Sequence, residues 1–114
     1  RSTFRKIEQD NIEIKMGLGL INNAVIDQHF VARSRYNRLL SAIAKYPLLT
    51  CIGIDEATAI IVYQNKVKVS GESQVIVMRN PVGLGFTKEK LIKLRDLHFS
   101  IYTDGDEFTL NNIQ

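Results

Sequence analysis

Hydrophobic and polar positions follow two periods along this chain, and the switch between them marks its elements. From 11 to 16 the apolar Ile12, Ile14 and Met16 alternate with polar residues, the pattern of a strand with one buried face. Gly17-Leu18-Gly19-Leu20 reads as a tight apolar loop and Asn22-Asn23 as a turn. Ala24-Val25-Ile26 is short, apolar and partly β-branched, which predicts a buried strand whose end delivers Asp27 and His29. The period then lengthens. Tyr36, Leu39, Leu40 and Ile43 stand at i, i+3, i+4 and i+7 and predict a helix with one apolar face. Ser34 is its expected N-cap, and Pro47 stops it because the residue before a proline avoids helical dihedrals.

Strand patterns dominate the rest. Residues 48–54 and 57–63 are almost wholly apolar, and Gln64-Asn65-Lys66 is the expected hairpin turn. Val67 and Val69 alternate with lysines, as on a half-exposed strand, and Ser70-Gly71-Glu72-Ser73 turns the chain into Val75-Ile76-Val77-Met78. Residues 80–85 read as a loop. Thr87-Lys88-Glu89-Lys90 is expected to open a short second helix through Leu91, Leu94 and Leu97. Strand, turn and strand follow over residues 98–102, 104–106 and 108–110, whereas residues 1–9 look polar and irregular. About six strands and two helices in this order predict a mixed α/β piece with a mostly antiparallel second half. No repeat, low-complexity tract or linker divides the chain, so residues 1–114 are expected to form one partial domain.

Composition narrows the function classes. With 45% hydrophobic and 24% charged residues the chain is an ordinary globular sequence rather than a disordered one. The net charge of +3 is spread among acidic residues, and there is no Trp, which argues against a nucleic-acid partner. No apolar run approaches the ~18–20 residues that span a bilayer, so no membrane partner is expected. Arg-Ser-Thr-Phe-Arg-Lys at the start lacks a signal-peptide core, and no Met precedes it, so the chain is expected to belong to a longer protein. Cys51 stands alone in an apolar run, as a buried small hydrophobe, which fits a reducing, cytoplasmic setting.

The chemistry gathers at Asp27-Gln28-His29-Phe30, followed by Arg33, Arg35 and Arg38. His29 follows a predicted strand, and α/β folds place ligands outside the carboxyl ends of strands. A histidine acting as a base needs a partner on its other ring nitrogen to fix the tautomer and stabilise the imidazolium. Both Asp27 and Glu56 qualify, the first by sequence proximity and the second from the loop after a buried strand. The arginines are forks suited to carboxylates, or the basic solvated start of a helix. Asp27, His29, Asp55 and Glu56 are donors for a divalent ion, but their spacing matches no metal motif, and Gly17-x-Gly19 lacks the rest of a dinucleotide loop. Neither metal nor cofactor is expected. His98 has no partner in view and reads as structural.

Taken together, these blocks resemble a known family. Gly17-Leu18-Gly19-Leu20, Val25-Ile26-Asp27-Gln28-His29-Phe30, Arg33-x-Arg35-x-x-Arg38-Leu39-Leu40 and Gly53-Ile54-Asp55-Glu56-x-Thr58-Ala59 are similar, in order and spacing, to the cyanophycinase family of serine peptidases over roughly residues 17–78. The resemblance implies the C-terminal portion of a glutamine-amidotransferase-like (flavodoxin-like) three-layer α/β fold. It implies an exopeptidase that hydrolyses cyanophycin, a polyaspartate bearing arginine on its side-chain carboxyls, to β-aspartyl-arginine dipeptides. By the same resemblance His29 is the base and Glu56 its orienter. Asp27, Gln28, Arg33, Arg35 and Arg38 line the substrate pocket, and a homodimer is the expected assembly. The sequence departs from the family in one respect. No serine sits in a glycine-flanked elbow: Ser34, Ser41, Ser70, Ser73 and Ser100 all lie in other contexts. The nucleophile is expected in an N-terminal part outside these residues, without which acyl transfer lacks its covalent step. A non-catalytic module binding acidic ligands is the competing expectation. Alone, the chain is expected to fold poorly or to associate through sheet edges that upstream strands would cover.

Overall fold

The computed structural model describes residues 4–8, 12–14, 24–27 and 35–110. Within them the chain makes β1 (Phe4–Glu8), β2 (Ile12–Ile14), β3 (Ala24–Asp27), α1 (Arg35–Lys45), β4 (Thr50–Ile54), β5 (Thr58–Tyr63), β6 (Lys66–Gly71), β7 (Val75–Arg79), β8 (Val82–Phe86), β9 (Ile92–Arg95), β10 (His98–Tyr102) and β11 (Glu107–Thr109).

Two sheets and one helix form three layers. The central sheet has the order β10-β7-β4-β3-β2, and the outer sheet has the order β1-β5-β6-β11. The period of two decides what each residue faces. On one side of the central sheet, Ala24, Ile26, Ile52, Ile54, Val75 and Val77 pack against Ile60, Val62, Val67, Val69 and Phe108 of the outer sheet. On the other side the intervening residues Val25, Cys51, Ile76 and Met78 meet Leu39 and Ile43 of α1. Strands buried on both faces read as continuous apolar runs rather than alternating ones. This is why β3 and β4 are buried along their whole length.

The mixed α/β architecture and its antiparallel second half match the sequence reading. Among the described residues only β3 and β4 pair in parallel, with Asp27 opposite Gly53, and α1 lies in the crossover such a pair requires. The other described pairs are antiparallel. The layer opposite α1 is a sheet among the described residues, not a second helical layer.

Five expectations are corrected. Residues 4–8 are a strand, β1, paired with β5 from Phe4↔Tyr63 to Glu8↔Ala59, rather than irregular chain. The expected loop at 80–85 contains most of β8, and the expected second helix is instead the turn and strand of a β8–β9 hairpin. Lys90 has a φ of 72°, which no right-handed helix accommodates, and its N–H donates to Thr87 O at 2.9 Å to close the turn. The strand count is accordingly eleven among the described residues, not about six. His98, expected to lack a partner, is exposed, with Nδ1 3.4 Å from Asn80 Nδ2.

Candidate active site at two parallel strand ends

Because β3 and β4 run parallel, they release the chain at the same edge of the sheet. Asp27 closes β3, and Asp55-Glu56 directly follow the last residue of β4. This edge is the one at which α/β sheets hold ligands. Gln28, His29 and Arg33 lie outside the described residues, and Arg35 is the first residue of α1.

The β3 end is built around a buried charge. Asp27 is only 4% exposed. Arg38, in the first turns of α1, donates from Nε to Asp27 Oδ2 at 3.1 Å. A buried carboxylate requires such a partner, because desolvation penalises an uncompensated charge. The bond uses Nε, so the two terminal nitrogens of the planar fork take no part in it. Beside the pair lies a cleft of about 360 Å³, floored by Val25 and Asp27 and walled by Arg38, Ser41, Lys45 and Tyr46. Arg38, Ser41 and Lys45 stand at i, i+3 and i+7, one stripe of α1, and Tyr46 directly follows its last residue. The cleft thus carries two cations and one carboxylate beside an aromatic ring. Ser41, Lys45 and Tyr46 were absent from the sequence-based site, although the same helical period that revealed the apolar face marks the stripe that holds Ser41 and Lys45.

The β4 end is different in kind. Glu56 is exposed, but its backbone is tied on both sides. Its N–H donates to Asp55 Oδ1 at 2.9 Å, and its carbonyl accepts from Thr58 Oγ1 at 2.9 Å. The β6–β7 turn closes over this one: Ser73 Oγ donates to Asp55 Oδ2 at 2.7 Å and Ser73 N–H donates to Thr58 Oγ1 at 2.9 Å. Two backbone bonds, Asp55 N–H to Gln74 O at 3.1 Å and Glu72 N–H to Ala57 O at 2.9 Å, complete the join. Gly71 sits at the closest approach, where any side chain would collide with the Ala57 carbonyl and Thr58 Cα. Ala57 takes a φ of 55°, a conformation that a non-glycine residue keeps only when its surroundings enforce it.

Asp27, Asp55 and Glu56 do not come together as a three-ligand metal cluster among the described residues. No described helix is long and apolar enough to cross a membrane. Cys51, on the helix-facing side of β4, is buried, and burial pushes its thiol up to about 12.

Comparison with known proteins bears on this edge directly. The cyanophycinase of Trichormus variabilis is 35% identical over 106 residues, 87% of this chain and 35% of its own length. The chain is cyanophycinase-like. The cyanophycinase of Geminocystis herdmanii is 32% identical over 104 residues, 85% of this chain and 38% of its own length. That of Synechococcus elongatus is 30% identical over 110 residues, 90% of this chain and 34% of its own length. The cyanophycinase-like stretch therefore includes both strand ends and spans about a third of the length of the curated relatives it matches. No family model matches the chain.

Proposed function

We propose that this chain is the C-terminal part of a serine exopeptidase that hydrolyses cyanophycin to β-aspartyl-arginine dipeptides, within a glutamine-amidotransferase-like fold. The observation that carries the reading is the similarity to cyanophycinases over 87% of the chain, across a sheet edge where two parallel strands deliver Asp27 and Glu56 together. A serine in the remaining part of the protein is the nucleophile, and a homodimer belongs to the same reading.

In this mechanism the serine oxygen attacks the scissile carbonyl while His29 takes its proton. Glu56 holds the imidazole tautomer and stabilises the imidazolium that forms. His29 then returns the proton to the leaving nitrogen, and water repeats the cycle on the acyl-enzyme. His29 lies two residues beyond Asp27, so their Cα atoms are at most about 7 Å apart. That tether keeps the base near the cleft. Arg38 presents its remaining guanidinium donors to a substrate carboxylate, and Arg33 and Arg35 are assigned to the same pocket. Asp27 sets the angle of Arg38, and Gln28 reads a neighbouring polar group. In cyanophycin the aspartate side-chain carboxyls are taken up in amide bonds to arginine, so the carboxylates open to such a cluster are the α-carboxylates of those arginines.

The test is the complete protein, with and without His29→Ala, assayed on cyanophycin for dipeptide release. The variant is expected to lose essentially all turnover while remaining folded. Undiminished release overturns the proposal.

A further inference from the structure

The β4–β5 turn is held from within and from outside. Its two tethers, the Asp55 carboxylate on the Glu56 N–H and the Thr58 hydroxyl on the Glu56 carbonyl, converge on a single residue of another turn. Ser73 reaches Asp55 Oδ2 with its hydroxyl at 2.7 Å and Thr58 Oγ1 with its N–H at 2.9 Å. Ser73 lies 18 residues from Asp55, so this is a tertiary clamp rather than turn chemistry. Thr58 is buried and Ser73 half-buried, so water competes weakly for these bonds.

The clamp matters because of what it does not touch. The Glu56 side chain is exposed, so the region its carboxylate can reach is centred by the position of its Cα and the direction of its Cα–Cβ bond. Both are fixed by the peptide groups on either side, and these are the groups that Asp55 and Thr58 hold. We infer that Ser73, acting through Asp55 and Thr58, is a positioning residue that sets the reach of the Glu56 carboxylate. The inference rests on the reading of Glu56 as the orienter of His29. A displacement of about 1 Å in a catalytic group can cost 10²-fold in rate, and a loosened turn allows a displacement of that size.

The experiment compares Ser73→Ala, Ser73→Thr, Thr58→Val and Glu56→Ala in the complete protein, with kcat, KM, the pH profile and thermal unfolding measured on each. Ser73→Ala and Thr58→Val are expected to lower kcat about 10- to 100-fold with KM little changed. A drifting carboxylate stabilises the imidazolium less, which lowers the pKa of His29. The base then stays neutral to lower pH, and the acid limb of kcat/KM moves down in pH. Ser73→Thr keeps the hydroxyl and restores most of the rate. A Ser73→Ala enzyme with wild-type kcat and an unmoved acid limb, beside an inactive Glu56→Ala enzyme, overturns the inference and leaves the role of Glu56 standing. A rate loss that only tracks the unfolded fraction, with the limb unmoved, overturns it too. If Glu56→Ala retains full activity, the orienter reading falls and the inference falls with it.

Discussion

The two strand ends hold their carboxylates by opposite means. At the end of β3 the carboxylate itself is fixed: Asp27 is buried, and Arg38 donates to it from α1. At the end of β4 the backbone is fixed, and the Glu56 carboxylate extends into solvent from a clamped turn. A buried, paired carboxylate is suited to setting the geometry of a neighbour. An exposed one on a rigid base is suited to meeting a group that arrives from elsewhere. The contrast adds a structural difference between two acidic residues that the residue pattern alone left open as partners of His29.

The comparison predicts that function and stability divide between the two ends. The largest effect is expected from Glu56→Ala in the complete protein, a fall in kcat of about 10³- to 10⁴-fold. Its unfolding free energy should stay within about 0.5 kcal/mol of wild type, as for an exposed residue. A stability loss as large as the activity loss would erase the distinction. Next comes Arg38→Leu, which strips Asp27 of a charged partner and should cost about 1–3 kcal/mol in urea unfolding. Arg38 is itself 34% exposed at its side chain, which keeps the loss toward the lower part of that range. A third effect, absent near neutral pH, comes from beneath the site. The Cys51 thiol, pushed up to about 12 from 9.0 by burial, ionises in the unfolded chain before it does in the folded one. Below the lower value it is neutral in both states and stability is unaffected. Between the two values stability should fall with rising pH by up to about 1.4 kcal/mol per unit. Cys51→Ala should flatten that part of the profile relative to wild type, as read by denaturant titrations at successive pH values.

Much of the scaffold was legible because period and burial agree. The stripe Leu39 and Ile43 announced α1, and the lysines flanking Val67 and Val69 announced the exposed face of β6. The β8–β9 hairpin was not legible, since Gly83 and Gly85 gave its first strand the look of a loop. Leu91, Leu94 and Leu97 also imitate a helical spacing that the left-handed Lys90 forbids. Strand β1 escaped because Phe4-Arg5-Lys6-Ile7-Glu8 carries no alternation of its own and is defined by its pairing with β5. At the site, the two strand ends and Arg38 were anticipated. The Ser73 clamp was not, because a hydrogen bond between turns 18 residues apart leaves no periodic trace. In the sequence Ser73 read only as a turn residue and a rejected nucleophile.

The clamp also orders events during folding. Asp55 and Glu56 directly follow β4, but the residue that fixes their turn lies 18 positions on, beyond β5 and β6 in the connection to β7. Contacts that close such loops are made late, once the entropy of closure has been offset by the surrounding sheet. A chain arrested with its hairpins unmade would already contain the acidic residue, yet hold it in many directions at once. Whatever the Glu56 carboxylate meets would thus meet it in a fixed direction only once the sheet is complete.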